Sequence, residues 1–160
     1  MKKQTKVWIG IIFLSIISIG GWFLLRDSYL SSSGEFGIYL IENGKLIISD
    51  REILSYSKSN HEIKLTKEGI EKLQALDLYK KKFVIKLKGI EIYEGAFWSY
   101  LSSSIYEGAV ILDIHLIQDG KTDSIIIEPW YPPGLFEGPE DPRFRVEIFN
   151  YFQQIGKLTH

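Results

Sequence analysis

The stretch KFVIKLKGIEIYE, Lys82 to Glu94, decides how the chain folds. Apolar and polar residues alternate on both sides of Lys88-Gly89, the period of a strand that buries one face. A glycine at the centre admits the positive φ of a tight turn, so Phe83 to Leu87 and Ile90 to Glu94 are predicted to pair as a hairpin. The implied register sets Lys86 opposite Glu91 and Ile85 opposite Ile92, so charges meet charges and apolar residues meet apolar ones.

Two further hairpins are predicted on either side. Phe36 to Ile41 and Lys45 to Ile48 flank Asn43-Gly44, the strongest short hairpin signal, with Glu42 facing Lys45. Gly108 to Ile117 and Asp123 to Glu128 flank Asp119-Gly120, with Val110, Leu112, Ile114 and Leu116 on the core face. His61 to Leu65 reads as a short strand, and Ser49 to Tyr56 as an irregular or helical piece.

Thr66 offers its hydroxyl to the free amides of a following helix, and Glu68 suits the positive end of its dipole. Ile70, Leu73 and Leu76 to Leu78 give that helix one apolar face ending near Tyr79, with Lys80, Lys81 and Lys82 at its solvated carboxyl end. The run PWYPPGLFEGPEDP, Pro129 to Pro142, fits neither a central strand nor a regular helix. Asp141-Pro142 then starts a last helix on which Phe144, Ile148, Phe152 and Ile155 recur at helical spacing to about Gly156.

At the amino terminus, Val7 to Leu25, VWIGIIFLSIISIGGWFLL, holds no charged residue. A helix of that length spans a hydrocarbon core of roughly 30 Å. Lys2, Lys3 and Lys6 precede the run while Arg26 and Asp27 follow it, which keeps the amino terminus in the cytoplasm and places the rest outside. A cleaved signal peptide cut near Ser18-Ile19-Gly20 is the competing reading, against which Trp22 to Leu25 prolong the apolar run. The expected class is therefore α+β: one amino-terminal transmembrane helix, then an outer domain of mainly antiparallel hairpin strands with two longer helices. Residues 1–26 form the cytoplasmic tip and anchor, 27–34 a tether, and 35–160 one extracytoplasmic domain at the cell membrane.

Setting aside Lys2, Lys3 and Lys6 leaves 16 Lys plus Arg against 20 Asp plus Glu. A mildly acidic domain without a basic stripe argues against nucleic acid and against an anionic-lipid surface. The chain has no cysteine, so disulfides, thiolate metal sites and cysteine nucleophiles are excluded together. His61 and His160 stand alone in sequence, and no paired-ligand spacing points to a metal or cofactor.

In the predicted third hairpin, Asp113 and His115 share a strand face and Ser124 lies opposite His115. Serine, histidine and aspartate together point to an envelope hydrolase. No glycine elbow or amide-rich turn surrounds Ser124 to form an oxyanion hole, so catalysis is the alternative reading and a structural envelope role the other. The leading expectation is a non-catalytic module that binds a protein or peptide partner through Trp98, Tyr100, Trp130, Tyr131 and Phe136. These aromatics offer large contact area at low entropy cost, with Glu137, Glu140 and Asp141 beside them. The opposing reading folds Trp130 and Phe136 down over one end of the core.

A longer pattern runs from Asp50 to Ile111. Asp50-x-x-Ile53, then Glu62-Ile63-Lys64-Leu65-Thr66-Lys67-Glu68-Gly69 with Lys72-Leu73, then Lys82 to Gly89 and Ile90-Glu91-Ile92-Tyr93, resembles the extracytoplasmic head domain of SecD-like translocation accessory proteins. The resemblance implies an α+β head outside the membrane that contacts extended polypeptide. That family carries several further ion-conducting spans and an Ala-Pro step where this chain has Gly95-Ala96-Phe97-Trp98. The resemblance therefore does not imply proton-driven translocation.

Overall fold

The structure, a computed structural model, describes residues 35–134 and 140–160. In chain order the elements are β1 (Phe36–Leu40), β2 (Leu46–Ser49), a 3-10 turn (Asp50–Glu52), β3 (Ile53–Ser57), β4 (Glu62–Leu65), α1 (Lys67–Gln74), β5 (Lys82–Leu87) and β6 (Ile90–Trp98). β7 (Ala109–Leu112), α2 (Ile114–Gln118), β8 (Ser124–Glu128), α3 (Val146–Gln154) and β9 (Leu158–Thr159) follow. The strands form one sheet in the order β2-β1-β5-β6-β7-β8-β4-β3-β9.

That order has a geometric consequence. β2 and β3 are joined by only three residues, Asp50–Glu52, yet seven strand steps separate them in the sheet. Seven steps across a flat sheet would span roughly 34 Å, whereas the link reaches at most about 14 Å. The sheet must therefore curl until its two ends approach each other. Inside the curl, Phe152 of α3 touches both ends: its ring lies 4.9 Å from Phe36 of β1 and stacks 4.9 Å from Tyr56 of β3. Buried Asp50 reinforces the junction, its Oδ2 accepting from the Phe36 amide and from the Tyr151 hydroxyl.

The β5–β6 hairpin forms as its alternation requires, with Lys86 opposite Glu91 and their side chains 2.9 Å apart. A bulge at the Ile85–Lys86 step shifts the rest of the ladder, so Ile85 pairs with Tyr93 rather than with Ile92. The extra residue lets Tyr93 turn into the core. Thr66 caps α1 by accepting from the Gly69 amide at 3.2 Å.

The architecture corrects the expected class. The described domain is a nine-stranded mixed sheet in which β6–β7 and β3–β9 run parallel. Its helices are short, with eight, five and nine residues, in place of two longer ones. α1 stops at Gln74 because the chain turns to bury Leu78. α3 starts only at Val146 because Asp141 spends its carboxylate on the Arg143 amide and guanidinium while the chain makes a separate turn at Pro142–Arg143 and is extended at Arg145. The third hairpin forms only in part: β7 and β8 pair antiparallel, but Asp113 adopts φ 51°, ends β7, and leads into α2 in place of a longer strand and a tight turn. The Gln74 and Gln118 side-chain amides then bond the Ile117 and Leu76 carbonyls, tying α2 to the end of α1. Ser49 to Tyr56 contains β3, whose alternation is broken by a register shift at Leu54. The expected transmembrane helix, residues 7–25, lies outside the described residues, among which no helix is long and apolar enough to cross a membrane.

Parallel packing of β7 on β6 requires Gly95. A Cβ there would lie 2.3 Å from the Ala109 carbonyl oxygen and 2.4 Å from Phe83 Cζ. Gly95→Ala is expected to cost about 2–3 kcal/mol in urea unfolding, because backbone must move. Gly89→Ala, where φ is 79° but the space is open, should cost only about 1 kcal/mol. Equal losses at the two sites would refute the close approach as the cause.

Candidate functional site

Side chains alternate along β6, so Phe97 enters the main core while Ala96 and Trp98 project from the opposite face. There they form a second, smaller cluster with Val110, Leu112 and Tyr131, against which Tyr106 packs. Among the described residues, no helix covers this face of the cluster. Two returning segments do so instead, Tyr100 to Tyr106 and Trp130 to Tyr131, joined by a bridge in which Tyr106 and Tyr131 exchange 2.9 Å backbone hydrogen bonds.

Side chains fix the first of those segments. The Tyr131 hydroxyl approaches the Tyr100 carbonyl at 2.8 Å and the Ser102 carbonyl at 3.1 Å. Trp98 Nε1 donates to the Ser104 carbonyl at 3.3 Å, and Asp113 Oδ1 accepts from the Tyr100 amide at 3.1 Å. A loop held at three points still leaves its apolar tip in solvent: Leu101 is 90% exposed, with Tyr100 and Ile105 more than half exposed. Beneath Leu101 lies a cleft of about 310 Å³, bordered by Tyr79, Trp98, Ile114, His115 and Gln118. The Tyr79 and Trp98 rings are 6.4 Å apart across it.

The five expected contact aromatics divide among different environments. Tyr100 is exposed and Trp130 half-buried, while Trp98 and Tyr131 are buried. Phe136 and Glu137 lie outside the described residues. Trp98 nonetheless borders the cleft, whereas Tyr131 works behind the surface as a strut for the loop. Tyr79 and Leu101 complete the cleft and were not singled out by sequence. Leu101 had one legible signal, an apolar residue isolated among serines.

Asp113, His115 and Ser124 do not converge. His115 Nδ1 lies 3.8 Å from Asp113 Oδ1, but Ser124 Oγ has Thr122 as its partner at 3.4 Å. Ser124 pairs with Lys64 across β4 and borders a separate cavity of about 150 Å³, which also receives Asp113 and Glu128. His115 faces the Trp98 cleft instead. The cause is α2, which takes the place of the end of the expected first arm and so carries His115 away from Ser124. Among the described residues, no group of three His, Asp or Glu gathers in a metal-binding arrangement.

Sequence reading starts a short strand at His61 and gives it no role; in the structure it lies between β3 and β4, buried and only 1% exposed. Its Nδ1 lies 2.7 Å from the Tyr56 hydroxyl. Desolvation, reinforced by the nearby Arg143 cation and opposed by Asp141, pushes its pKa down to about 4. Burial raises the Asp141 carboxyl, but the hydrogen bonds and charge of Arg143 outweigh it and hold that group below its ordinary range.

Comparison with family models, with curated proteins and with solved structures returns no match. The site is therefore read from its own geometry.

Tyr131→Phe tests the strut. Removing the hydroxyl leaves the Tyr100 and Ser102 carbonyls without that donor and should cost about 1 kcal/mol. Amide exchange should accelerate at Ser102 and Ser104 with little change at Phe83 or Ile85. Uniform acceleration would show that the hydroxyl does not hold the loop.

Proposed function

We propose that this protein is a non-catalytic binding module that takes an extended polypeptide in the cleft beside Trp98. The uncharged run 7–25 holds it at the cell membrane, amino terminus inside and residues 35–160 outside. The observation that carries the reading is Leu101, an apolar side chain kept in solvent on a loop fixed by Tyr131, Asp113 and Trp98. A loop already ordered before a partner arrives has little conformational entropy left to lose on binding. Its cleft presents two aromatic rings to apolar side chains, with Asp77 and His115 at the rim for polar groups. The resemblance of residues 50–111 to SecD-like head domains supports an extended polypeptide as the ligand. Nothing in the placement of Ser124 and His115 favours the hydrolase.

The test is binding of the full chain to an immobilised library of short unstructured peptides. Apolar-rich peptides should bind, and Leu101→Ser should weaken them by about tenfold or more, the equivalent of a buried leucine side chain. Ile90→Ser, also highly exposed but outside the cleft, should leave affinity unchanged. Absence of peptide binding, or equal losses in the two variants, would overturn the reading.

A further inference from the structure

His61 is enclosed on every side by groups that suit a neutral ring. The backbone at this residue takes φ 54°, and its carbonyl accepts from the Ile127 amide at 3.2 Å, fixing it between β3 and β8. Tyr56 of β3 engages Nδ1, while Nε2 is buried with no hydrogen-bond partner. The lid over the ring is aromatic: Phe144 meets it edge-on at 5.1 Å, and Phe149 of α3 lies 6.0 Å away.

Among the described residues, the charged surroundings offer no acceptor for a second N–H. On the segment entering α3, Asp141 is engaged by Arg143 through Nε and Nη2, at 2.9 and 2.7 Å. Arg143 also donates to the Ile127 carbonyl at 2.6 Å, and Glu128 of β8 lies 3.8 Å from the same guanidinium. Arg145 follows on that segment and bonds the Pro142 carbonyl. From β6, the Tyr93 hydroxyl is likewise buried without a partner, and Lys58 beyond β3 sits over the Phe149 ring. Glu62 of β4 is turned to the Asn60 side chain. A protonated His61 would therefore stand beside Arg143 as a second cation, with the nearest carboxylate already committed.

We propose that His61 is an acid-sensitive latch: its neutral ring holds the segment Asp141 to Phe149 against the sheet, and protonation releases that segment while the rest of the sheet stays closed. The release follows because both lid residues, Phe144 and Phe149, belong to the segment that also carries Arg143. Freeing it separates the two cations and gives Nε2 access to water in one movement. The sign follows from linkage. His61 titrates at about 4 when enclosed against an ordinary value of 6.5, so the closed form binds fewer protons. Closure is at full strength above 6.5 and weakens as pH falls toward 4.

Hydrogen exchange on the full chain tests this, corrected for intrinsic rates, between about pH 7 and about pH 4.5. Over that interval the opening constant at Ile148 and Phe149 should rise roughly sixtyfold, while Ile85 and Phe97 keep their protection. In His61→Asn the rise should vanish, since asparagine tolerates positive φ and carries no titrating proton. A rise shared by Ile85 and Phe97, a rise that persists in the variant, or no rise would each overturn the latch. Should the variant fail to fold, the His61 ring resonance of the parent chain decides. Titration coincident with local exchange supports the latch, and a ring that protonates near its ordinary value with the segment still protected overturns it.

Discussion

The fold depends on a three-residue link. Asp50–Glu52 joins strands that stand near opposite ends of the sheet, and both carboxylates of the turn are drawn into holding that closure. Glu52 accepts from the Ser49 amide at 2.7 Å, receives Lys72 from α1 at 3.0 Å, and offers its carbonyl to Thr66 at 2.8 Å. Asp50 reaches β1 and α3 through its carboxylate, and its carbonyl shares Lys157 Nζ with the Ile53 carbonyl, both at 2.6 Å. A buried carboxylate is costly unless satisfied, so these partners are what allow Asp50 to occupy the junction.

Curling the sheet creates two unequal faces. The inner face is filled by Phe36, Tyr56, Phe83, Phe97 and Phe152 and leaves His61 as one of the few polar groups enclosed there. On the outer face of β6 and β7, a small apolar cluster is covered, among the described residues, only by loops. Short loops cannot bury all of their own apolar side chains while covering others, and Leu101 is the residue left out. The cleft beside it and the latch at His61 thus share an origin in the way the sheet bends, although they occupy different faces.

Local patterns in the sequence identified the elements with strong periodicity and missed those that tertiary contacts create. The β5–β6 hairpin and the Thr66 cap rest on residues adjacent in the chain, so alternation and capping chemistry were sufficient. The 108–117 stretch alternates like a strand, yet Asp113 in a left-handed conformation and the glutamine contacts between α1 and α2 convert its second half into a helix. β3 was hidden because a bulge at Leu54 interrupts its period, and β9 because two residues carry no period at all. At the candidate site, the aromatic composition around Trp98 and Tyr100 was legible, whereas Tyr79 reaches the cleft only through the fold. Nothing local marks His61 as buried, since its enclosure is built by residues about eighty positions downstream.

The position of β9 also bears on when the domain can form during synthesis. Tyr56 and Ser57 pair in parallel with Leu158 and Thr159, and the ring that stacks on Tyr56 is carried by Phe152. A nascent chain that has emerged only as far as β8 holds most of the sheet but neither the filler of its interior nor the strand at its far edge. Such a chain exposes Phe36 and Tyr56 and leaves β3 unpaired on one side, a surface prone to association with other chains. Folding of the closed domain must therefore await residues through Thr159, and a chain that has emerged only part of the way needs protection from association until then.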